Sequence, residues 1–325
     1  DLITAAGGNP TGSNVSGADA TPADNSSVTV IGGFSDTIVG GSGNLTAFAN
    51  AGGQVIGGSG TNLITAQIGH TSVVGGTGAT TVNGGTGDTI TAAAGSSATL
   101  LVDATAGFEM VTLGSATGSI VIQGSNGSQT IAAGNVVFAG PSDTIQAGSG
   151  TANINAVAGH AHIAIGSAGG ADTILSGSGD TITGGAASAT ITGASGDFIN
   201  LSNSNGTGTV LIDATAGGEA VLLGAATGSV VVQGSNGSQT IAAGAVVYAG
   251  SGDKIQAGSG TANINAASGD ATITVGSSGG LDTILSGAGD TINGGAASAT
   301  ITGAKGDTIN LTGGTGTALV DATAG

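Results

Sequence analysis

The sequence predicts an all-β fold, a parallel β-solenoid (β-roll or β-helix) of short strands about nine residues apart, set inside tandem repeats of about 110 residues. Three observations carry that prediction. Glycine accounts for 68 of 325 residues, roughly one in five against about 7% in average usage. Small clusters of Val, Ile and Leu alternate with polar residues along the whole chain, as in Thr181-Ile182-Thr183 and Asn153-Ile154-Asn155. The same succession of clusters then returns at a long period. Alternation marks a strand with one buried face, and glycine-rich joints mark turns. Helices are not expected, because glycine costs about 1 kcal/mol at a helix position and the apolar residues show no helical period.

The long period orders the chain. Leu101–Gly107 returns as Leu211–Gly217, Gly127–Gly134 returns unchanged at Gly237–Gly244, and Asp172–Ile182 returns at Asp282–Ile292. Residues 1–98 read as a diverged first repeat with Asp88 in the place of Asp197 and Asp307, residues 99–208 as the second, 209–316 as the third and 317–325 as the start of a further one. All are expected to form one continuous solenoid. Within the second repeat, twelve clusters centre on Val102, Val111, Val121, Ile131, Val137, Ile145, Ile154, Ile163, Ile174, Ile182, Ile191 and Ile199. Strands this short are not stable as isolated hairpins. Wound into coils, each would hydrogen-bond to its equivalent one coil away, about 4.8 Å distant, and bury an aliphatic ladder. Twelve divides by two and by three strands per coil. The turn residues favour two, giving coils of roughly 17 to 18 residues.

Composition removes several function classes. There is no cysteine, so no disulfide or Cys-based metal site. Two lysines, Lys254 and Lys305, face nineteen acids for a net charge of -17, which is the reverse of a nucleic-acid footprint. Only 6% of residues are charged and aliphatics recur throughout, which sets the chain apart from disordered acidic segments. No apolar run reaches the roughly 18 residues of a membrane-spanning helix. The start at Asp1 without Met or an apolar leader, and the end within a motif, lead to the expectation of a piece of a longer protein whose targeting signal lies elsewhere.

Seventeen of the nineteen acids are Asp, most of them in a glycine turn just before a strand, as in Gly87-Asp88-Thr89-Ile90 and Gly179-Asp180-Thr181-Ile182. One reading is turn chemistry, since Asp tolerates left-handed backbone and bonds its own chain. The other starts from spacing. Asp180 and Asp197 are 17 residues apart, as are Asp290 and Asp307, Asp253 and Asp270, and Asp19 and Asp36. On coils of that length each pair would stack at one corner, where like charges repel unless a cation lies between them. Ca²⁺, which takes six to eight oxygens, suits such a corner. Asp88, Asp143, Asp172 and Asp282 join these as candidate ligands. Asp103 with Glu109, repeated as Asp213 with Glu219, reads equally as a further calcium site or as a loop lock.

These turns resemble the RTX, or haemolysin-type, calcium-binding repeat, G-G-x-G-x-D-x-U-x with U a large aliphatic. Gly57-Gly58-Ser59-Gly60-Thr61-Asn62-Leu63-Ile64-Thr65 fits it position by position with Asn for Asp. Gly170–Leu175 and Gly280–Leu285 match its later six positions, and Gly84–Ile90 is one residue short of it. The resemblance implies a parallel β-roll with calcium in its turns and type I secretion to the bacterial exterior. It also implies sparse calcium sites, because beats such as Ala189-Thr190-Ile191-Thr192 carry no acid and His160 stands where the next copy has Asp270.

Other chemistry is weak. Gly276-Ser277-Ser278-Gly279-Gly280 fits a hydrolase pattern, but the preceding copy reads Gly166-Ser167-Ala168-Gly169-Gly170. His160 and His162 alternate on one strand without a third metal ligand, and the next copy has Asp270 and Thr272 there. Outward threonines (Thr89 and Thr91, Thr181 and Thr183, Thr300 and Thr302) are the pattern an ice-binding face would need, interrupted here by Phe198, Asn153 and Asn263. The expected function is therefore non-enzymatic: an extracellular, calcium-stabilised structural segment of a bacterial adhesin, matrix fibre or surface layer. Its expected partners are further copies of itself and a cell-surface or polysaccharide contact, with no nucleic acid and no membrane span. The alternatives are an ice- or polysaccharide-binding module, or a non-catalytic module of a secreted enzyme.

Overall fold

The computed structural model describes residues 2–5, 27–66, 68–112, 120–124, 128–131, 135–147, 151–165, 171–184, 188–201, 208–223, 230–234, 237–241, 245–258, 260–276, 280–294, 297–311 and 316–323. Among them there is no helix, and every strand pairing is parallel: the fold is a β-solenoid. Contacts divide the chain into two compact units, Asp1–Ala156 and Val157–Gly325.

Each unit has two parallel sheets that the chain visits in alternation. In the first unit, sheet A contains Thr37–Gly40, Gln54–Ile56, Ser72–Val74, Thr89–Thr91, Met110–Thr112, Ser128–Ile131 and Thr144–Ala147. Sheet B contains Ser27–Ile31, Asn44–Phe48, Asn62–Thr65, Thr80–Asn83, Leu100–Ala104, Ile120–Gly124, Asn135–Phe138 and Ala152–Ala156. In the second unit, sheet A runs from His162–Ala164 to Thr308–Asn310 and sheet B from Ala171–Ser176 to Ala318–Asp321.

A strand therefore bonds to the strand after next, never to its neighbour in sequence. The step between paired positions in sheet A varies from turn to turn: Ser128 pairs with Thr144 at the short end, and Phe198 with Ala220 toward the long end. The structural repeat is a turn of about 18 residues with one strand in each sheet. It differs from both the nine-residue beat and the 110-residue block read from the sequence, because one beat is half a turn and has no hydrogen-bonded partner in the next.

The core follows from this register. Most strands turn an Ile, Val or Leu inward, often with a second or third small apolar residue such as Ala47, Ala104 or Ala156, and parallel pairing stacks each on its equivalent. In the first unit Ile38, Val55, Val73, Ile90 and Val111 form one such ladder, and Ile64, Val82, Val102, Ile122, Val137 and Ile154 form the other. In the second unit Ile174, Ile191, Ile212, Val232 and Val247 are buried in succession. Branched side chains have one favoured rotamer and pack on a pleated surface with little entropy to lose. Up to three small apolar residues per strand, Ile, Val, Leu or Ala, fill the interior, which is how a chain with 2% aromatics builds its core.

Outward positions are mixed. Thr272, Thr291 and Thr308 follow one another in register, but Phe198, Ala220, Ser238 and Lys254 occupy the same rank before them. No helix among the described residues is long and apolar enough to cross a membrane.

Candidate functional site

The acids gather where the chain enters sheet A. The register aligns the residue before each sheet A strand into one column, which includes Asp36, Gly53, Thr71, Asp88, Glu109 and Asp143 in the first unit. In the second unit it reads Ala161, Asp180, Asp197, Glu219, Gly237, Asp253, Ala271, Asp290 and Asp307. The residue before the column position has positive φ at corner after corner: glycine at Gly87, Gly179, Gly218 and Gly306, but also His70, Phe108, His160 and Asp270. This left-handed step turns the chain out of the corner and into the strand.

The column aspartates obey one hydrogen-bond rule. One carboxylate oxygen accepts the N–H three residues earlier in its own corner, and the other accepts the N–H of the column residue one turn back. Asp180 takes the Gly177 and Ala161 amides, both at 2.8 Å. Asp197 takes those of Ala194 at 2.8 Å and Asp180 at 2.9 Å. Asp88 takes Gly85 and Thr71, Asp253 takes Gly250 and Gly237, Asp290 takes Gly287 and Ala271, and Asp307 takes Ala304 and Asp290. Hydroxyls of Ser176 and Ser286 add a further donor to Asp197 and Asp307. Asp143 and Asp36 accept Gly140 and Gly33 in the same manner. A column aspartate bonded in this way is a cross-brace from one turn to the next.

The stacking expected from the equal spacing holds for Asp180 with Asp197 and for Asp290 with Asp307, which occupy successive column places. It fails for Asp253 with Asp270. Lys254 pairs with Thr272, one residue further along than that spacing allows, so Ala271 takes the column place. Asp270 sits before it, exposed, at φ 58°. Asp172 and Asp282 lie at the other corner, as the second residues of Ala171–Ser176 and Leu281–Ser286. Asp282 repeats the bracing there through the Ala262 and Gly276 amides. Asp19 lies outside the described residues, as do Ser277, Ser278 and Gly279 of the hydrolase-like motif.

Asp103 and Glu109 have different surroundings. Asp103 is exposed and locks its own loop by accepting both the N–H and the hydroxyl of Thr105; Asp213 with Thr215 and Asp321 with Thr323 repeat this bonding. Glu109 and Glu219 are column members, each 1% exposed.

The electrostatics reflect burial. Asp88, Asp180, Asp282 and Asp290 are pushed above the usual carboxylate range by desolvation, against the pull of their amide donors. Asp197 adds to the effect on Asp180, and Asp307 to that on Asp290. In the exposed loop, Asp321 is lowered by the Thr323 hydroxyl and amide. The folded state therefore binds protons more tightly than the unfolded chain at Asp180, Asp282 and Asp290, and stability rises as pH falls through their raised values toward the ordinary 3.8. Followed in chelator as the pH falls from 7 toward 4, urea unfolding is expected to show a stabilising contribution from these groups that raises the midpoint. A midpoint that only falls over that interval would remove this contribution.

The donor set also tests calcium. The braced aspartates direct both oxygens at amide N–H groups, whereas Ca²⁺ needs oxygens all round. A cation at Asp180 or Asp290 would meet the positive ends of peptide dipoles, so these corners as arranged do not fit a calcium shell. At Asn62, which replaces the aspartate of the RTX-like stretch, the side-chain amide itself supplies the positive end. Its Nδ2 donates to the carbonyls of Gly58 (3.1 Å) and Gly60 (2.9 Å) and to the Thr80 hydroxyl (3.2 Å). Among the described residues no three His, Cys, Asp or Glu side chains are grouped to hold a metal together. No family model matches the chain, and no curated protein or solved structure matches it.

Proposed function

We propose that the chain is a non-catalytic structural segment of a secreted bacterial surface or matrix protein, built to bear load and to associate with copies of itself. The observation that carries this reading is the use to which the acidic side chains are put. In an enzyme, buried carboxylates converge on a cavity; here they are distributed along a column of corners, most of them bonded to the backbone of the turn behind. Stress along the solenoid would fall on amide-to-carboxylate bonds as well as on the strand ladders. The clefts at Gly75–Leu100 and Val275–Ala318 have room for little more than a water or two and are lined mainly by glycine, alanine and other small residues.

Self-association draws support from the outer face of sheet B. Leu101, Val121 and Val136 stack in register beside Phe138, and Leu211, Val231 and Val246 stack in register beside Tyr248. Leu101, Phe138, Leu211 and Tyr248 are 41–47% exposed. The same apolar rank thus recurs at the long sequence period, a pattern that a second copy can match rank for rank. Negative-stain microscopy and sedimentation of the purified chain, with and without calcium, test the reading. Elongated, concentration-dependent assemblies are expected. A compact monomer at every concentration, in both conditions, would overturn it.

A further inference from the structure

Two side chains break the bracing rule of the column. Glu109 and Glu219 are fully buried, and none of their four carboxylate oxygens has a hydrogen-bond partner. Each stands where an aspartate would, one turn after Asp88 and Asp197 respectively. From Thr37 onward, the longest turns described in sheet A are the two that lead to them, Thr89 to Met110 and Phe198 to Ala220. Glutamate is one methylene longer than aspartate. Glu219 leans back over the preceding turn, with Oε1 3.7 Å from the place a Cβ on Gly193 would occupy, beside the Ala194 amide that braces Asp197.

The surroundings leave the charge uncompensated. Burial acts first on both glutamates and raises them, and the carboxylates of Asp88 and Asp143 around Glu109, and of Asp197 and Asp253 around Glu219, raise them further. Amides of Gly107 and Glu109, and of Gly217 and Glu219, pull the other way without forming a bond of hydrogen-bond geometry. No basic side chain is among the groups acting on either. An isolated buried carboxylate is strongly disfavoured unless a proton or an opposite charge joins it.

We propose that Glu109 and Glu219 each hold a hard, oxygen-seeking divalent cation of calcium's size through their own two carboxylate oxygens, while the aspartate one turn back, Asp88 or Asp197, keeps its amide donors and adds only the attraction of its charge. Among the described residues, these are the corners at which carboxylate oxygens are buried and not occupied by amides, so a cation there meets free lone pairs. Carboxylates with backbone carbonyls and water make up the oxygen set that Ca²⁺ accepts with flexible geometry. The site recurs at the same point of two long repeats, where the extended loop would otherwise leave the corner unbraced. A cation there replaces the missing cross-brace. Cation binding does not depend on assembly, so binding and filament formation are scored separately.

The test is calcium chloride titrated into the chelator-stripped full chain, followed by calorimetry and by thermal unfolding. Two calcium ions per chain and a rise in Tm are expected. The double variant Glu109→Gln/Glu219→Gln should lose at least tenfold in calcium affinity and keep the same Tm with calcium or EDTA. Its Tm in EDTA should equal or exceed that of the parent, since the buried charge is gone. Glu219→Gln alone should bind one ion, which keeps the test decisive if the double variant folds poorly. A calcium response that survives in the double variant would overturn the proposal. So would a parent indifferent to calcium but raised to the double variant's Tm by acidification from pH 7 to pH 5, because the proton would then be the counter-charge.

Discussion

Asp180→Ala is expected to destabilise the second unit by about 3 kcal/mol, because it strands two buried amide donors at once. The Gly177 and Ala161 N–H groups lose their carboxylate acceptor, and each unsatisfied buried donor costs roughly 1–3 kcal/mol. Relief of a desolvated charge offsets part of this. Asp180→Asn keeps one acceptor oxygen and turns an NH₂ group toward an amide donor, so an intermediate loss is expected. Asp307→Ala, at a half-buried corner, should cost less, since water can reach the freed donors. Urea unfolding by circular dichroism measures the series. Performed with calcium and again with EDTA, it also separates the two readings of the corner aspartates. A brace gives the same loss in both buffers, whereas a ligand gives a loss that vanishes in EDTA. Equal stability of Asp180→Ala and the parent would remove the bracing account.

How far the sequence reaches is visible at these corners. Period-two alternation announces half-buried strands, and their shortness together with the glycine joints and the nine-residue beat of strand plus turn announces the parallel solenoid. Equal spacing places Asp180 over Asp197 and Asp290 over Asp307, since those turns happen to have that length. The same arithmetic misplaces Asp270. The turn from Ser238 to Lys254 is one residue shorter and that from Lys254 to Thr272 one longer, which shifts the column by single residues, and a left-handed residue intervenes. The partners of the carboxylates are not legible at all. They are backbone amides of Gly177, Ala161, Gly287 and Ala271, and an amide is common to every residue but proline. Glu109 and Glu219 stand out as substitutions in an aspartate column only once the register has aligned them.

The corners carry a second, steric requirement, and Gly78→Ala is expected to show it with a loss of about 3 kcal/mol or more. A Cβ on Gly78 would run into the backbone carbonyls of Gly60 and Ser59 in the turn behind, atoms that cannot rotate away as a side chain could. Those carbonyls cannot retreat without cost. The Gly60 oxygen accepts Asn62 Nδ2 at 2.9 Å, and the Gly78 oxygen accepts the Thr80 hydroxyl, which in turn accepts the Gly76 amide, both at 3.1 Å. Parting the turns by even a few tenths of an ångström would strain these bonds and the pairing of Thr80–Asn83 with Asn62–Thr65. Overpacking of this kind typically costs about 1–3 kcal/mol against side chains, and more against fixed backbone. Gly95→Ala is the control. Gly95 has φ 69° but nothing within 4 Å of the place a Cβ would take, so only the left-handed penalty of about 1–2 kcal/mol applies. The comparison separates two uses of glycine that composition counts alike: one as a corner that must turn left-handed, the other as the bare spot on which the next turn rests. If Gly78→Ala costs no more than Gly95→Ala in urea unfolding, close approach of successive turns is not what keeps glycine at that corner.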